Sequence, residues 1–185
     1  DLHAPSDATF GVWTYVYDDA GNLISRTDPR GELVTSEYDE LNREIIRDAL
    51  STLEIEAMWS YDFCPNTGIG YVCEIATPDM TQMNEYDALG RVDSIWRVMS
   101  GDAYTISFEY DRAGRVITTT YPDGSQSENV YGGAGYLESI GRRESALDPF
   151  VAVVSSIEYA PTGKRTEVVY GNGATSVNTY DDAEL

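Results

Sequence analysis

A chain of 185 residues with 12 basic and 32 acidic side chains has a formal charge of −20, so it repels phosphate backbones and anionic lipid. Nucleic acid and membrane insertion are excluded as partners on that ground, and no apolar run approaches the ~20 residues of a bilayer-spanning helix. The 42% hydrophobic content, with 14 tyrosines against 4 phenylalanines, fits one domain or two small ones built on an aromatic sheet whose tyrosines pack their rings and keep their hydroxyls hydrated.

Residues 1–11 read as a tail or the end of a preceding repeat, and Asp1-Leu2-His3-Ala4-Pro5 has neither the basic stretch nor the apolar core of a secretory leader. Sheet character begins at Val12, where Val12, Thr14 and Val16 alternate with Trp13, Tyr15 and Tyr17. Tyr17-Asp18-Asp19-Ala20-Gly21 predicts a turn closed by the left-handed backbone that Gly21 supplies, and a strand follows from Leu23. Asp28-Pro29-Arg30-Gly31 predicts the next reversal. Tyr38-Asp39-Glu40-Leu41-Asn42-Arg43 repeats the first turn, with Asn42 in the glycine position because asparagine tolerates that conformation.

Glu40 to Glu56 is ambiguous. Leu41, Ile45, Ala49 and Leu53 recur every four residues and alone describe an amphipathic helix, whereas the repeat frame requires two strands with a turn near Asp48 to Ser51; the frame prevails because both flanks are sheet-like. Tyr61-Asp62 opens a unit with an enlarged turn flanked by Cys64 and Cys73. With the tip at Asn66 to Gly70, the two cysteines lie on opposite arms of one hairpin, within reach of a disulfide; a reduced pair is the alternative. Their spacing suits neither a CxxC redox motif nor, with only His3 in addition, a zinc site.

Thr77-Pro78-Asp79 predicts another reversal, and Tyr86-Asp87-Ala88-Leu89-Gly90-Arg91-Val92 and Tyr110-Asp111-Arg112-Ala113-Gly114-Arg115-Val116 restate the tyrosine turn in full. A β-branched run leads to Tyr121-Pro122-Asp123-Gly124, with Pro122 pre-set for a turn corner and Gly124 closing it. Tyr131-Gly132-Gly133-Ala134-Gly135 and Tyr159-Ala160-Pro161-Thr162-Gly163-Lys164 keep tyrosine and glycine without aspartate. Between them, Glu138 to Leu147 has room for an inserted loop or short helix. Tyr170-Gly171-Asn172-Gly173 is a further turn, and Tyr180-Asp181-Asp182-Ala183-Glu184 ends the chain with glutamate in the glycine position, where fraying is expected.

The landmark tyrosines Tyr17, Tyr38, Tyr61, Tyr86, Tyr110, Tyr131, Tyr159 and Tyr180 stand 21, 23, 25, 24, 21, 28 and 21 residues apart. Such a period signals stacked supersecondary units. Each reads as strand, turn, strand, turn, which leaves no room for a helix and predicts roughly 14 strands at ~5–8 residues apiece. The expected fold is all-β: tandem antiparallel hairpins forming one long curved sheet over residues 12–185.

Where Tyr-Asp, Gly-Arg-aliphatic and Pro-Asp-Gly coincide, the chain resembles the YD repeat of Rhs proteins, teneurins and the B/C components of bacterial insecticidal toxin complexes. The resemblance implies a segment of a spiral shell that encloses a C-terminal toxin or effector, in a secreted or surface-displayed bacterial protein. Its partners would be adjoining repeats of the same or a longer polypeptide, an enclosed toxin domain, or further copies through open sheet edges. The self-cleavage motif of that family does not match here, since Asp148-Pro149 is followed by Phe150-Val151-Ala152.

Catalysis is not expected. His3 is the single histidine, which excludes nucleophilic triads and histidine-based metal chemistry as normally built. Asp18, Asp39, Asp62, Asp87 and Asp111 recur with the turn, where a carboxylate accepts a hydrogen bond from the backbone two residues on. No cofactor is implied, and Asp18-Asp19 and Asp181-Asp182 lack calcium-loop spacing. Arg43, Arg91, Arg115 and Lys164 share the position after the turn glycine (or Asn42), favouring pairing with a neighbouring turn's carboxylate over recognition of an acidic ligand. Trp13, Trp59 and Trp96 are expected in sheet packing; the alternative is an extracellular module that binds carbohydrate or a receptor through its Tyr/Trp face.

Overall fold

The structure is a computed structural model and describes residues 11–49, 55–65 and 68–180. The expected tail and terminal fraying, the turn after Ala49 and the Asn66-Thr67 tip lie outside the described residues.

Alternating β-branched and aromatic residues between glycine corners produce strands, and the described residues hold no helix. They are β1 (Thr14–Tyr17), β2 (Leu23–Thr27), β3 (Leu33–Tyr38), β4 (Glu44–Ala49), β5 (Ile55–Tyr61), β6 (Val72–Thr77), β7 (Met80–Tyr86), β8 (Val92–Met99), β9 (Asp102–Tyr110), β10 (Val116–Thr120), β11 (Gln126–Tyr131), β12 (Leu137–Arg143), β13 (Val151–Tyr159), β14 (Arg165–Tyr170) and β15 (Thr175–Val177). They form one sheet in which spatial order equals chain order, so every described connection is a reversal and none is a crossover. Two compact units divide the strands: β1–β7 with the tip of the β8/β9 hairpin, and the base of that hairpin with β10–β15.

The tyrosine turns share one geometry. The Gly114 N–H donates to the Asp111 carbonyl at 3.1 Å and the Asp111 N–H to the Arg115 carbonyl at 3.0 Å, with Gly114 at φ +80°. Asn42 adopts φ +61° in the equivalent position. Registers shift by one residue beside Tyr17, Tyr38, Tyr61, Tyr131 and Tyr159, the bulge that a left-handed closing residue imposes. The reversals between tyrosines follow their glycines and prolines, with Gly31, Gly124 and Gly173 at positive φ and Thr77 paired to Met80 across Pro78-Asp79. A further reversal, not expected from the repeat, is made by Ser100 and Gly101, both left-handed at φ +53° and +89°, which join β8 to β9 in two residues.

The strand frame preferred over a helix for Glu40 to Glu56 holds in its described residues, and of the two alternatives for Glu138 to Leu147 the loop is found and the short helix is not. The four-residue period of Glu40 to Glu56 lies across β4 and β5, and Glu138 to Leu147 begins in β12 and ends in a loop where the Ser145 hydroxyl donates to Asp148 Oδ2 at 2.8 Å. Cross-strand pairing overrides local period in these segments, as Arg47↔Ala57 and Ile140↔Val154 show.

Burial is shallow and lies on the face that carries the landmark tyrosines. In the first unit it collects at Ala49, Ala57, Cys73 and Tyr86. In the second, Val154, Ile157 and Val168 form a cluster with Leu137, Ile140 and Tyr159 packed against it. The other face mixes polar pairs, Ser60↔Glu74, Thr118↔Glu128 and Glu158↔Glu167, with apolar ones such as Ile46↔Met58 and Met58↔Ala76.

Candidate functional site

The repeated chemistry of this chain lies at the tyrosine turns. Each landmark tyrosine after the first donates its hydroxyl hydrogen bond to one particular carbonyl, that of the second residue after the preceding turn's closing glycine or Asn42. In the first unit Tyr38 reaches Leu23 at 3.1 Å, Tyr61 reaches Glu44 at 2.9 Å and Tyr86 reaches Val72 at 2.8 Å. In the second, Tyr110 reaches Val92 at 2.7 Å, Tyr131 reaches Val116 at 3.2 Å, Tyr159 reaches Leu137 at 2.8 Å and Tyr180 reaches Arg165 at 2.9 Å. The expectation of hydrated hydroxyls is therefore wrong. The acceptor residue pairs back within its own hairpin, as Leu23 with Tyr17 and Val116 with Tyr110, but the ladder to the following strand begins only at Ser25 and Thr118; the phenol supplies the carbonyl's partner on that side, which accounts for tyrosine rather than phenylalanine in this position.

The residue between glycine and that carbonyl covers the next tyrosine's ring. Arg43 lies 4.3 Å from the centroid of Tyr61, Arg91 4.4 Å from Tyr110, Arg115 4.3 Å from Tyr131 and Lys164 4.8 Å from Tyr180. Where that position holds an aromatic, Tyr71 stacks on Tyr86 at 4.7 Å and Tyr136 on Tyr159 at 4.8 Å. In the first turn it holds Asn22, which instead joins Asp18 Oδ2 at 2.9 Å to Asn42 Oδ1 at 2.8 Å. Cation and ring contacts of this kind contribute roughly 0.5–1 kcal/mol each at exposed sites.

The turn carboxylates act on the backbone. Asp39 Oδ1 accepts from the N–H groups of Leu41 and Arg43 at 2.9 Å, and Asp111 Oδ1 accepts from Ala113 and Arg115 at the same distance. Asp18 does likewise with Ala20 and Asn22, and Asp87 with Leu89. The backbone N–H of Arg43 at Asp39, and of Arg115 at Asp111, is the main force holding these carboxyls below their ordinary range. Arg43 and Arg115 also close a salt bridge with their own turn's aspartate, and Arg115 Nη1 donates to the Gly135 carbonyl of the following turn at 3.0 Å. Arg91 Nη1 similarly reaches the Asp111 carbonyl at 3.2 Å. These cations pair within their own turn as well as with the neighbour.

Asp62 departs from the set. It is left-handed at φ +70°, accepts from the Gly70 N–H at 2.5 Å and takes both Arg43 Nη1 and Nη2, at 3.1 and 2.6 Å. The Arg43 guanidinium, followed by the Gly70 N–H, lowers its carboxyl to about 2. The two carboxylates in turn raise the affinity of Arg43 for its proton, Asp62 more than Asp39. Cys64 and Cys73 are joined across this enlarged turn, with their Cα atoms 4.8 Å apart.

Sequence reasoning missed Asn84, Asn129 and Asn178. Each stands two residues before a landmark tyrosine and donates through Nδ2 to the same carbonyl as that tyrosine, at 3.1, 3.2 and 3.2 Å. The signal was present as Asn-x-Tyr written three times. The tryptophans have separate neighbours: Trp13 stacks on Tyr15, and Arg47 lies over Trp59. Among the described residues no group of three or more His, Cys, Asp or Glu side chains is placed to hold a metal ion.

The RHS Repeat family pattern matches residues 17–52 and 86–126. Solved structures share the fold over 92% of this chain: TcdB2-TccC3 at TM-score 0.81 and 15% identity, and TcdB2-TccC3-Cdc42 at 0.80 and 14%. The Photorhabdus luminescens Tc holotoxin pore is similar at 0.80 and 17% over the same share. The chain spans about a tenth of the length of those structures' chains, 10%, 10% and 9% in turn. No curated protein sequence matches it.

Proposed function

Since this chain belongs to the Rhs (YD) repeat family, we propose that it is a non-enzymatic wall module, a stretch of the shell that encloses a C-terminal toxin or effector in a secreted or surface-displayed bacterial polypeptide. Its proposed partners are neighbouring repeats and the enclosed domain. The landmark residues Tyr17 to Tyr180, with their turn aspartates and glycines, serve as construction elements.

The observation that carries the reading is the row of seven tyrosine-to-carbonyl hydrogen bonds, each of which ties one unit to the one before it. A site repeated in every unit is what continuous construction needs, whereas catalysis needs a singular one. The match to TcdB2-TccC3 supports the same reading at the level of the fold. A sugar-binding aromatic face has less support, because six of the landmark rings are already covered by Arg, Lys or Tyr.

The test is limited proteolysis of the polypeptide that contains this segment, before and after mild denaturant opens the sheet. A C-terminal domain that is resistant while the sheet is intact and cleaved once it opens is the expected result. Equal cleavage in both conditions would refute containment.

A further inference from the structure

The residue before the closing glycine (or Asn42) of a tyrosine turn stands at the rim of the sheet. In four turns it is small or polar: Ala20, Ala113, Ala134 and Thr162. In three consecutive turns it is instead Leu41, Ile69 and Leu89, exposed at 68%, 87% and 75%, and the enlarged turn adds Phe63 at 90%. Strand order equals chain order, so the tyrosine turns all fall at one end of the strands, and these four side chains share one rim of the first unit.

The three turns are also tied to one another. Arg43 of the first reaches Asp62 of the second through Nη1 and Nη2, at 3.1 and 2.6 Å. The Cys64–Cys73 bond braces the second. Tyr71 stacks on Tyr86 at 4.7 Å, and its hydroxyl lies so close to Gly90 of the third turn that a Cβ there would collide with it. An open groove of about 520 Å³ runs between Ile69 and Leu89, lined also by Cys64 and Tyr71. Large apolar side chains stand bare on a braced ledge, where binding would have little ordering left to impose.

We infer that this ledge is a docking site for an amphipathic helix with basic flanks, laid along the rim across the strand ends. Consecutive tyrosine turns are two strands apart, so the apolar tips recur at about 10 Å. A helix rises ~10.5 Å in seven residues and can set one apolar residue per heptad against each tip. The alternate residues of a strand recur at ~7 Å and fall out of step. Between Tyr38 and Val92 the chain carries eleven carboxylates and three arginines, which favours a cationic partner over anionic lipid or a second copy of this acidic chain. The wall reading concerns the strands and faces of the sheet; this rim contact is independent of it.

The experiment titrates the isotopically labelled full chain with a synthetic lysine-rich helix of three heptads, with leucine at the first and fourth position of each. Saturable binding that shifts the amides of Leu41, Phe63, Ile69 and Leu89, and that weakens as salt is raised, is expected. Ile69→Ser and Leu89→Ser should each weaken it about tenfold, the weight of one aliphatic side chain taken out of water. Leu147→Ser removes an equally bare leucine, 97% exposed, from the second unit and should leave the affinity unchanged. Thermal unfolding checks that these surface variants fold as the parent does.

No shifts at millimolar peptide would overturn the inference, as would equal binding of a glutamate-rich helix or of a lysine-rich peptide whose leucines alternate as in a strand. An equal loss on Leu147→Ser would do the same. So would sedimentation showing two copies of the chain joined through the ledge, or phosphatidylcholine vesicles that shift these four residues when the helix does not. Any of these leaves containment standing, since protection from protease is measured without the helix.

Discussion

A phenol that donates to a backbone carbonyl beyond the end of the ladder has a measurable weight, and the seven examples are not equivalent. Leu137 receives the Tyr159 hydroxyl alone, whereas Val116 receives both Tyr131 and Asn129. Tyr159→Phe should therefore cost about 1–1.5 kcal/mol, because a half-buried acceptor loses its partner. Tyr131→Phe should cost clearly less, about 0.5 kcal/mol, since Asn129 remains on the carbonyl. Urea unfolding of the two variants decides it, and equal losses would remove the hydroxyl from any structural role.

Asp62 allows a second check at this scale. Its folded value of about 2 lies below the ordinary carboxyl value of about 3.9, so the carboxylate contributes stability that is fully present above pH ~4 and is lost as pH falls towards 2. A carbon-detected titration should place the Asp62 midpoint near 2 in the native chain, and Arg43→Gln should return it towards the ordinary range.

Among the elements, the enlarged turn between β5 and β6 depends most on a covalent tie. The Cys64–Cys73 bond closes a short loop, so reduction should lower stability by roughly 2–3 kcal/mol, read as an earlier denaturant midpoint. Two free thiols found by mass before any reductant is added would remove the bond from the account. At this scale the amino-acid sequence was readable where glycine, asparagine or proline marks a corner, as at Gly21, Asn42, Pro78 and Gly114. Ser100-Gly101 bears the same glycine mark, but it stands apart from the tyrosine and proline turns that the period picks out. The helical period across β4 and β5 was outweighed by the flanking repeats, as strand pairing, a non-local force, requires. The carbonyl partners of the tyrosines were hidden, since 14 to 22 residues separate donor from acceptor and a backbone carbonyl has no side chain to announce it. Asn-x-Tyr, at Asn84, Asn129 and Asn178, is the trace they leave in the letters.

For the whole molecule the dominant long-range quantity is the charge of −20. Carboxylates oppose one another on the face away from the tyrosines, where Glu158 stands directly across from Glu167. Like charges placed so are destabilising, and screening at ~0.1–0.15 M ionic strength relieves them. The melting temperature should therefore rise as salt is raised from a few millimolar to that range, even though the Arg43 and Arg115 pairs weaken, because acidic groups outnumber basic ones by 32 to 12. A falling melting temperature would mean that the turn salt bridges outweigh the repulsion.

The hydroxyl bond crosses from each unit to its predecessor at a fixed station, while the residues between stations vary from 21 to 28. Length is thus free to drift inside a unit, but the joint between units is standardised. A whole unit is consequently an interchangeable part. Excising residues 110–130 would bring Tyr131 to the place of Tyr110, facing the Val92 carbonyl beneath Arg91, with every other joint unaltered. Such a shortened chain is expected to retain its β-sheet circular dichroism and to unfold cooperatively, whereas removing about half a unit, so that one tyrosine is lost and no other reaches its station, should not. Genes that encode walls of this kind can then be lengthened or trimmed by recombination between like segments, with no new interface to invent at the splice.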